Sequence, residues 1–374
     1  VAAANAFNPN ISLVLAGTYA NLSQDPAQYR IQGFVPPGGE VGPGQRSFNL
    51  GESELTMAAN IDPMFAGQLT FALGAEDTVG VEEAFFQTRS LGSGFNVKAG
   101  RFLSALGYLN SIHAHAWDFV DAPLAYQAFF GGQYKPDGVQ ARWLAPTDTF
   151  IEIGAEAGSG RSFPGSDRNR NGIGSTTVFA HVGDDIGDSG SWRAGLSYLH
   201  TGSANRAYDD NGVPNAFSGR SRMLVADAIY KWAPNGDPSR RNFKLQGEYM
   251  RRKEDGLLAS GELAGPFAST QSGWYRQGVV QFMPYWRAGL RHDRLSAGTP
   301  FINAVVGGAP GLEAFPALAS YSPSRSSVML DYSPSEFSRL RLQFARDKAR
   351  PEAVDQQVYL QYIMSLGTHA AHAF

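Results

Sequence analysis

His113 and His115 stand two residues apart, and Asp118 and Asp121 follow closely. In extended chain, side chains at i and i+2 project to the same side. Two imidazoles with two nearby carboxylates could therefore assemble the N/O shell of a zinc or copper ion. The same groups could instead hydrogen-bond within a folded loop, since neutral imidazole offers one donor and one acceptor. A second pair, His369 and His372, lies near the end of the sequence, at a different expected depth. Asp167, Asn169, Asn171 and Gly172 match the first half of a calcium loop, but position twelve is Val178 where a bidentate acid would stand. The competing reading there is a polar loop tip built on Asx-turns, as it is for the weaker Asp209-Asp210-Asn211-Gly212. No cofactor is required by these residues; calcium and zinc are the candidate ions. Catalysis has little support: His181 and His200 have no serine partner that can be paired with them, and Gly38-Gly39 and Gly131-Gly132 lack a phosphate-loop context. The expectation is a protein that is not an enzyme.

The elements that position these groups follow from a period of two. Ile11, Leu13, Leu15, Gly17 and Tyr19 share one face of a first strand, with Ser12, Val14, Ala16 and Thr18 on the other. Leu196 and Tyr198 alternate with Arg193, Gly195 and Ser197, Leu245 and Tyr249 with Lys244, Gln246 and Glu248, and Leu340, Leu342 and Phe344 with Arg339, Arg341 and Gln343. One apolar face and one face mixing charges with Gly, Ser and Thr fit strands set between lipid and a wet lumen. The pattern predicts about sixteen strands, near 11–21, 49–61, 65–74, 80–88, 95–105, 137–145, 150–158, 176–184, 191–201, 221–233, 242–252, 272–282, 286–295, 326–332, 338–346 and 355–367. Connections alternate in length. Long ones fall at 22–48, 106–136, 159–175, 202–220, 253–271 and 296–325, and short ones carry turn residues, such as Ala145-Pro146-Thr147-Asp148 and Met283-Pro284-Tyr285. Short periplasmic turns opposite long outer loops are the habit of a transmembrane antiparallel β-barrel, and an even strand count puts both chain ends on one side.

Composition agrees. The chain has 374 residues, 43 of them glycine, no cysteine and a net charge of -3, which removes thiolate chemistry and any bulk attraction to nucleic acid. The reading is an N-terminal periplasmic linker over 1–10 and a single barrel over 11–374, with 106–136 as a constriction loop folded inward. Phe374, ending an alternating segment with Tyr362, Met364 and Leu366, resembles the aromatic terminal signal read by the bacterial barrel-insertion machinery.

Val81-Glu82-Glu83-Ala84-Phe85-Phe86-Gln87-Thr88, a short turn, then Lys98, Gly100, Arg101, Phe102 and Gly107 resemble two consecutive strands of the phosphate-selective porin O/P family. The chain is also similar to a group of metal-regulated outer-membrane barrel proteins. The porin resemblance implies sixteen strands, a homotrimer, a third outer loop in the lumen and a basic ladder along the pore. In this sequence the inward positions are nearly balanced in charge: Lys98, Arg142, Arg193, Lys231, Lys244, Arg252, Arg287, Arg291, Arg339 and Arg341 against Glu52, Glu54, Glu83, Glu152, Glu156, Asp227, Glu248 and Asp331. These are the expected pore-lining residues. The function expected is passive diffusion of small polar or charged solutes across the outer membrane of a Gram-negative bacterium, with lipid and lipopolysaccharide as surroundings. The alternative is a closed or gated barrel that binds metal or anchors a protein assembly, since Tyr108, Trp117, Phe119, Tyr126, Phe129, Phe130 and Tyr134 could plug the lumen.

Overall fold

A computed structural model describes residues 9–37, 41–74, 78–89, 91–210, 212–261, 263–303, 305–306, 309–310 and 315–367. Gly38-Gly39, His369, His372, Phe374 and most of the 1–10 linker lie outside them. The chain forms a closed antiparallel barrel of sixteen strands. They are β1 Asn10–Leu22, β2 in two pieces (Ser47–Leu50 and Ser53–Asn60), β3 Phe65–Leu73, β4 Val79–Thr88, β5 Phe95–Arg101, β6 Asp137–Leu144, β7 Phe150–Gly158 and β8 Ser175–Ile186. The tall half follows, with β9 Gly190–Asp210, β10 Val213–Trp232, β11 Asn242–Ser260 and β12 Leu263–Met283. The wall ends with β13 Trp286–Ser296, β14 Ser324–Ser335, β15 Ser338–Arg350 and β16 Ala353–Gly367. β16 closes on β1 in continuous register from Ser12 opposite Gly367 to Leu22 opposite Gln357, so neither strand keeps a bare edge.

Two expected outer loops, 202–220 and 253–271, are strand instead. β9–β10 and β11–β12 run on as long antiparallel pairs, as far as Asp210 opposite Val213 and Ser260 opposite Leu263. The reason lies in their outward faces. Leu196, Tyr198, Leu224, Leu245 and Tyr249 are exposed and apolar, whereas above them Asn205, Asp209, Arg220, Arg222, Arg251 and Lys253 are exposed and polar. About 9–11 residues of tilted strand cross a bilayer core. The 21 residues of β9 extend about twice as far, and their upper part stands in water.

Two irregularities interrupt the short half. β2 breaks at Gly51 and Glu52, where Ser53 Oγ takes the N–H of Ala16 in place of a ladder bond (3.0 Å). In β4, Thr70 faces Glu83 and Phe71 faces Val81, so Glu82 is the extra residue of a β-bulge. A bulge re-aims side chains, and here it buries Glu82 and Glu83 together.

The strand expected over 95–105 ends at Arg101, where the chain leaves the wall and enters the lumen. A run of 102–136 then packs inside the barrel. It contains α1, Leu124–Phe130, with every residue buried. Its apolar side chains join wall residues such as Leu199, Met223, Met250 and Leu295 in the largest core. Outer segment residues Ile31 and Phe34 cover it from above.

Arginine replacing the lipid-facing Leu196 or Leu360 should cost about 2–4 kcal/mol near the bilayer midplane. Thr18→Arg, facing an internal cavity, should cost under about 1 kcal/mol on the same scale. Ser197 and Gln246 look inward too, but each is packed, so neither serves as the control. Urea titrations in lipid vesicles read the difference; equal costs at Leu360 and Thr18 would remove the assignment of faces.

Candidate functional site: the inward loop and the lumen wall

Bringing 102–136 into the lumen takes its backbone N–H groups away from strand partners. An unpaired buried polar group costs about 1–3 kcal/mol. Wall carboxylates meet that demand. Glu83 accepts the Leu103 N–H (2.9 Å), Glu156 the Ala105 N–H (2.9 Å), Glu248 the Leu109 N–H (2.8 Å) and Asp293 the Leu124 N–H (3.0 Å). Glu248 also accepts hydrogen bonds from the hydroxyls of Tyr126 (2.9 Å) and Tyr275 (2.7 Å). Gly107 turns beneath this carboxylate at φ +67°, and a Cβ there would lie 2.4 Å from Glu248 Oε2. Gly100, at φ +130°, would put a Cβ 2.1 Å from the Ala84 carbonyl oxygen. The two glycines shared with the porin resemblance are thus positions of close approach.

The loop's own acids run the other way. Asp118 pairs with Lys244 (2.6 Å) and Arg287 (3.3 Å), and Asp121 with Arg291 (2.7 Å) and Arg325 (2.6 Å). Burial opposes the charged carboxylates. Lys244 and Arg287 outweigh it and hold Asp118 below the usual range, as Arg325 and Arg291 do for Asp121. Arg341 donates to the Trp117 carbonyl (2.9 Å) and pairs with Asp331 (2.8 Å), which also meets Arg287 (2.6 Å).

The expected metal set His113, His115, Asp118 and Asp121 is therefore divided. The aspartates turn to basic residues of β11, β13 and β14, while the histidines turn to β2 and β4. His113 Nδ1 lies 3.0 Å from Glu54 Oε2 and 3.2 Å from Glu82 Oε2, and its Nε2 lies 3.1 Å from Glu83 Oε2. His115 Nδ1 is 2.7 Å from Glu54 Oε1. A 3-10 turn at Ala114–Ala116 keeps both rings on one side, with centroids 5.7 Å apart. Burial works against a charged His113, but hydrogen bonds to Glu54, Glu82 and Glu83 outweigh it and raise its pKa well above the ordinary imidazole value.

The other expected lining residues face the lumen, mostly in pairs. Arg142 meets Glu152 (3.5 Å), which also meets His181 (3.1 Å). Arg193 meets Asp227 (3.2 Å) and donates to the Gly107 carbonyl (3.2 Å). Lys98 sits over the Phe85 ring (4.2 Å). Arg339 lies 4.0 Å from Asp331, Lys231 is half-buried beneath the loop, and Glu52 borders a cavity. The supposed calcium residues form an Asx-turned tip: Asp167 accepts the Asn169 N–H (2.9 Å) and lies 3.5 Å from Arg161, while Asn169 adopts φ 46°. Asp293, Arg325 and Glu82 were not singled out from sequence. Strand parity alone would have found Asp293. Arg325 falls one residue before its expected strand, and the bulge hides Glu82.

The cavity, about 700 Å³, separates the loop from β1–β4 and β16. Thr18, Asn49, Glu52, Glu82, Lys135 and Gln361 border it, and it descends from Gly42 and Gly44 to Ala16 and Ile363, midway down the wall.

Comparison with known proteins shows the fold, a closed sixteen-stranded antiparallel barrel shared with solved outer-membrane barrels. DcaP, an outer membrane channel of Acinetobacter baumannii, superposes with a TM-score of 0.57 at 12% identity, over 96% of this chain and 97% of that one. The trimer form of OmpT from Vibrio cholerae gives 0.56 at 9% identity, over 96% and 99%. An anion-selective porin from Comamonas acidovorans gives 0.54 at 11%, over 96% and 99%. No protein-family model matches. The chain belongs to the same family as an uncharacterized protein of Aquifex aeolicus (strain VF5), which is 30% identical over 399 residues covering 99% of this chain and 80% of that protein.

Replacing Glu248 with Ala should leave the Tyr126 and Tyr275 hydroxyl protons and the Leu109 N–H without their acceptor, a loss of about 3–5 kcal/mol for a broken buried network. Hydrogen exchange should rise within 102–136 while the barrel strands keep their protection. Unchanged exchange there would show that Glu248 does not hold the loop.

Proposed function

We propose that this protein is a narrow outer-membrane channel for passive diffusion of small polar or charged solutes, and that solutes pass beside the inward loop. The observation that carries this reading is an asymmetry. Ion pairs to β11, β13 and β14 and hydrogen bonds from Arg193 of β9 and Arg341 of β15 tie the loop to one side, while the cavity of about 700 Å³ lies against β1–β4 and β16. On the tied side, basic groups of the wall meet carboxylates, so little of that charge is left to act on a solute. The cavity is bordered by Glu52, Glu82 and Asp121, with Lys135 beside Glu82 (3.6 Å) as the basic residue of its lining, an acidic excess that favours cations by ordinary electrostatics. The phosphate-type basic ladder finds no counterpart along this path. The setting is the outer membrane of a Gram-negative bacterium, with the assembly a homotrimer in lipid and lipopolysaccharide and the chemistry passive, not enzymatic. The gated alternative draws its support from α1, which fills the centre of the lumen.

Planar-bilayer recording across a salt gradient tests the channel. The wild type should conduct with a reversal potential on the cation side, and Glu52→Gln with Glu82→Gln should move it toward zero. Deleting 111–122 should raise single-channel conductance. A folded barrel that conducts in neither form is a closed one; conductance unchanged by the deletion would free the loop of its role as constriction.

A further inference from the structure

The histidines lie against a group of acids that the channel reading does not explain. Glu54 and Glu82 are almost completely buried, and β2 and β4 both depart from regular geometry where these residues sit. Burying carboxylates is costly unless each is paired or bound to an ion. Glu83 meets part of that cost through the Leu103 N–H and Gln68 (3.1 Å). Glu82 is met on one side only: its Oε2 lies 3.2 Å from His113 Nδ1, but its Oε1 is buried without a hydrogen bond, with the partly exposed Lys135 3.6 Å away. One oxygen of Glu54 and one nitrogen each of His113 and His115 lie within 4.8 Å of one another, and carboxylate oxygens of Glu54 and Glu82 are equally close.

We infer that Glu54, Glu82, His113 and His115 form a binding site for a divalent transition-metal ion, of which zinc is the fitting probe. Two imidazoles and two carboxylates form a borderline N/O set suited to zinc, copper or nickel more than to calcium or magnesium. With bonds of about 2.0–2.1 Å, a tetrahedral shell has ligand–ligand edges of about 3.3 Å. Three donor pairs are already on that scale: the two Glu54 oxygens lie 2.7 Å from His115 Nδ1 and 3.0 Å from His113 Nδ1, and Glu82 Oε2 lies 3.2 Å from His113 Nδ1. A doubly charged ion would neutralise the two carboxylates, and the proton that His113 now shares with them would leave to solvent. Access exists, since His115 and Glu82 both border the cavity. The four ligands come from two wall strands and the loop ahead of α1, so the ion would fasten loop to wall on the side away from the ion pairs to β11, β13 and β14. The site goes beyond the channel reading and holds whether or not the lumen conducts.

The test uses the full chain, folded in detergent, stripped with chelator and titrated calorimetrically with zinc chloride alone. One ion per chain is expected, with the thermal midpoint rising on binding. His113→Ala with His115→Ala should weaken binding more than about tenfold, on the scale seen when ligand shells are disturbed. His369→Ala with His372→Ala should leave the site's affinity unchanged. Should the first variant misfold, X-ray absorption at the zinc edge of the wild type decides, with two imidazoles and carboxylate oxygens expected in the shell. No binding to the folded wild type at millimolar zinc, affinity retained in a folded His113/His115 double variant, or a shell without imidazole would each overturn the assignment. Because none of these readouts measures current, a closed barrel could still hold the metal and an open one could lack it.

Discussion

A chain that turns away from a barrel wall into its lumen loses every ladder bond it would have made, and the interior is organised around replacing them. Glu83, Glu156, Glu248 and Asp293 take loop N–H groups, one from each of four strands around the wall. The loop returns carboxylates to the wall's bases. The exchange works because charge-assisted hydrogen bonds are stronger than neutral ones and because the loop's own acids, Asp118 and Asp121, meet opposite charges. The cores formed by Leu124, Phe129 and their neighbours add apolar burial, but they do not by themselves fix the loop's height or rotation. The polar pins do.

This use of charge changes what a ladder of inward basic and acidic residues signifies. In an open pore such residues set the field a solute meets. Here Lys244, Arg287, Arg291 and Arg341 meet the loop at its acids or its backbone, leaving the short half of the wall to face the remaining space. The irregularities of β2 and β4 are on that short half, beside the two histidines.

The strand plan was legible because lipid and lumen impose opposite demands on alternate residues. Legibility failed where one demand lapsed. Above the bilayer, Arg220, Arg222, Arg251 and Lys253 face water, the apolar outer face disappears, and true strand reads as loop. The break at Gly51 was hidden because Ser53 replaces the lost bond with its side chain. For the site, sequence placed the histidines together but could not choose their partners. His113 and Glu54 are 59 positions apart in the chain, and the acid that completes the group, Glu82, lies on the wrong parity until the bulge is known. The nearby aspartates were the natural partners by distance along the chain, and the excess of arginine on β13 and β14 drew them elsewhere.

The spacing of the loop's anchors along the chain also sets an order in time. Trp117 is held by Arg341, 224 positions later, and Val120 by Gln343, 223 positions later. Contacts of such separation wait on the entropy of closing the intervening chain, and they become available only once β13–β15 have joined the wall. The loop is therefore among the last parts to find its place, although it lies in the first third or so of the sequence. A barrel caught after β1 meets β16 but before these anchors close has its rim complete and its centre still empty. Until those contacts form, the lumen is wider than in the finished fold, and Arg341 and Gln343 of β15 are among the groups that narrow it.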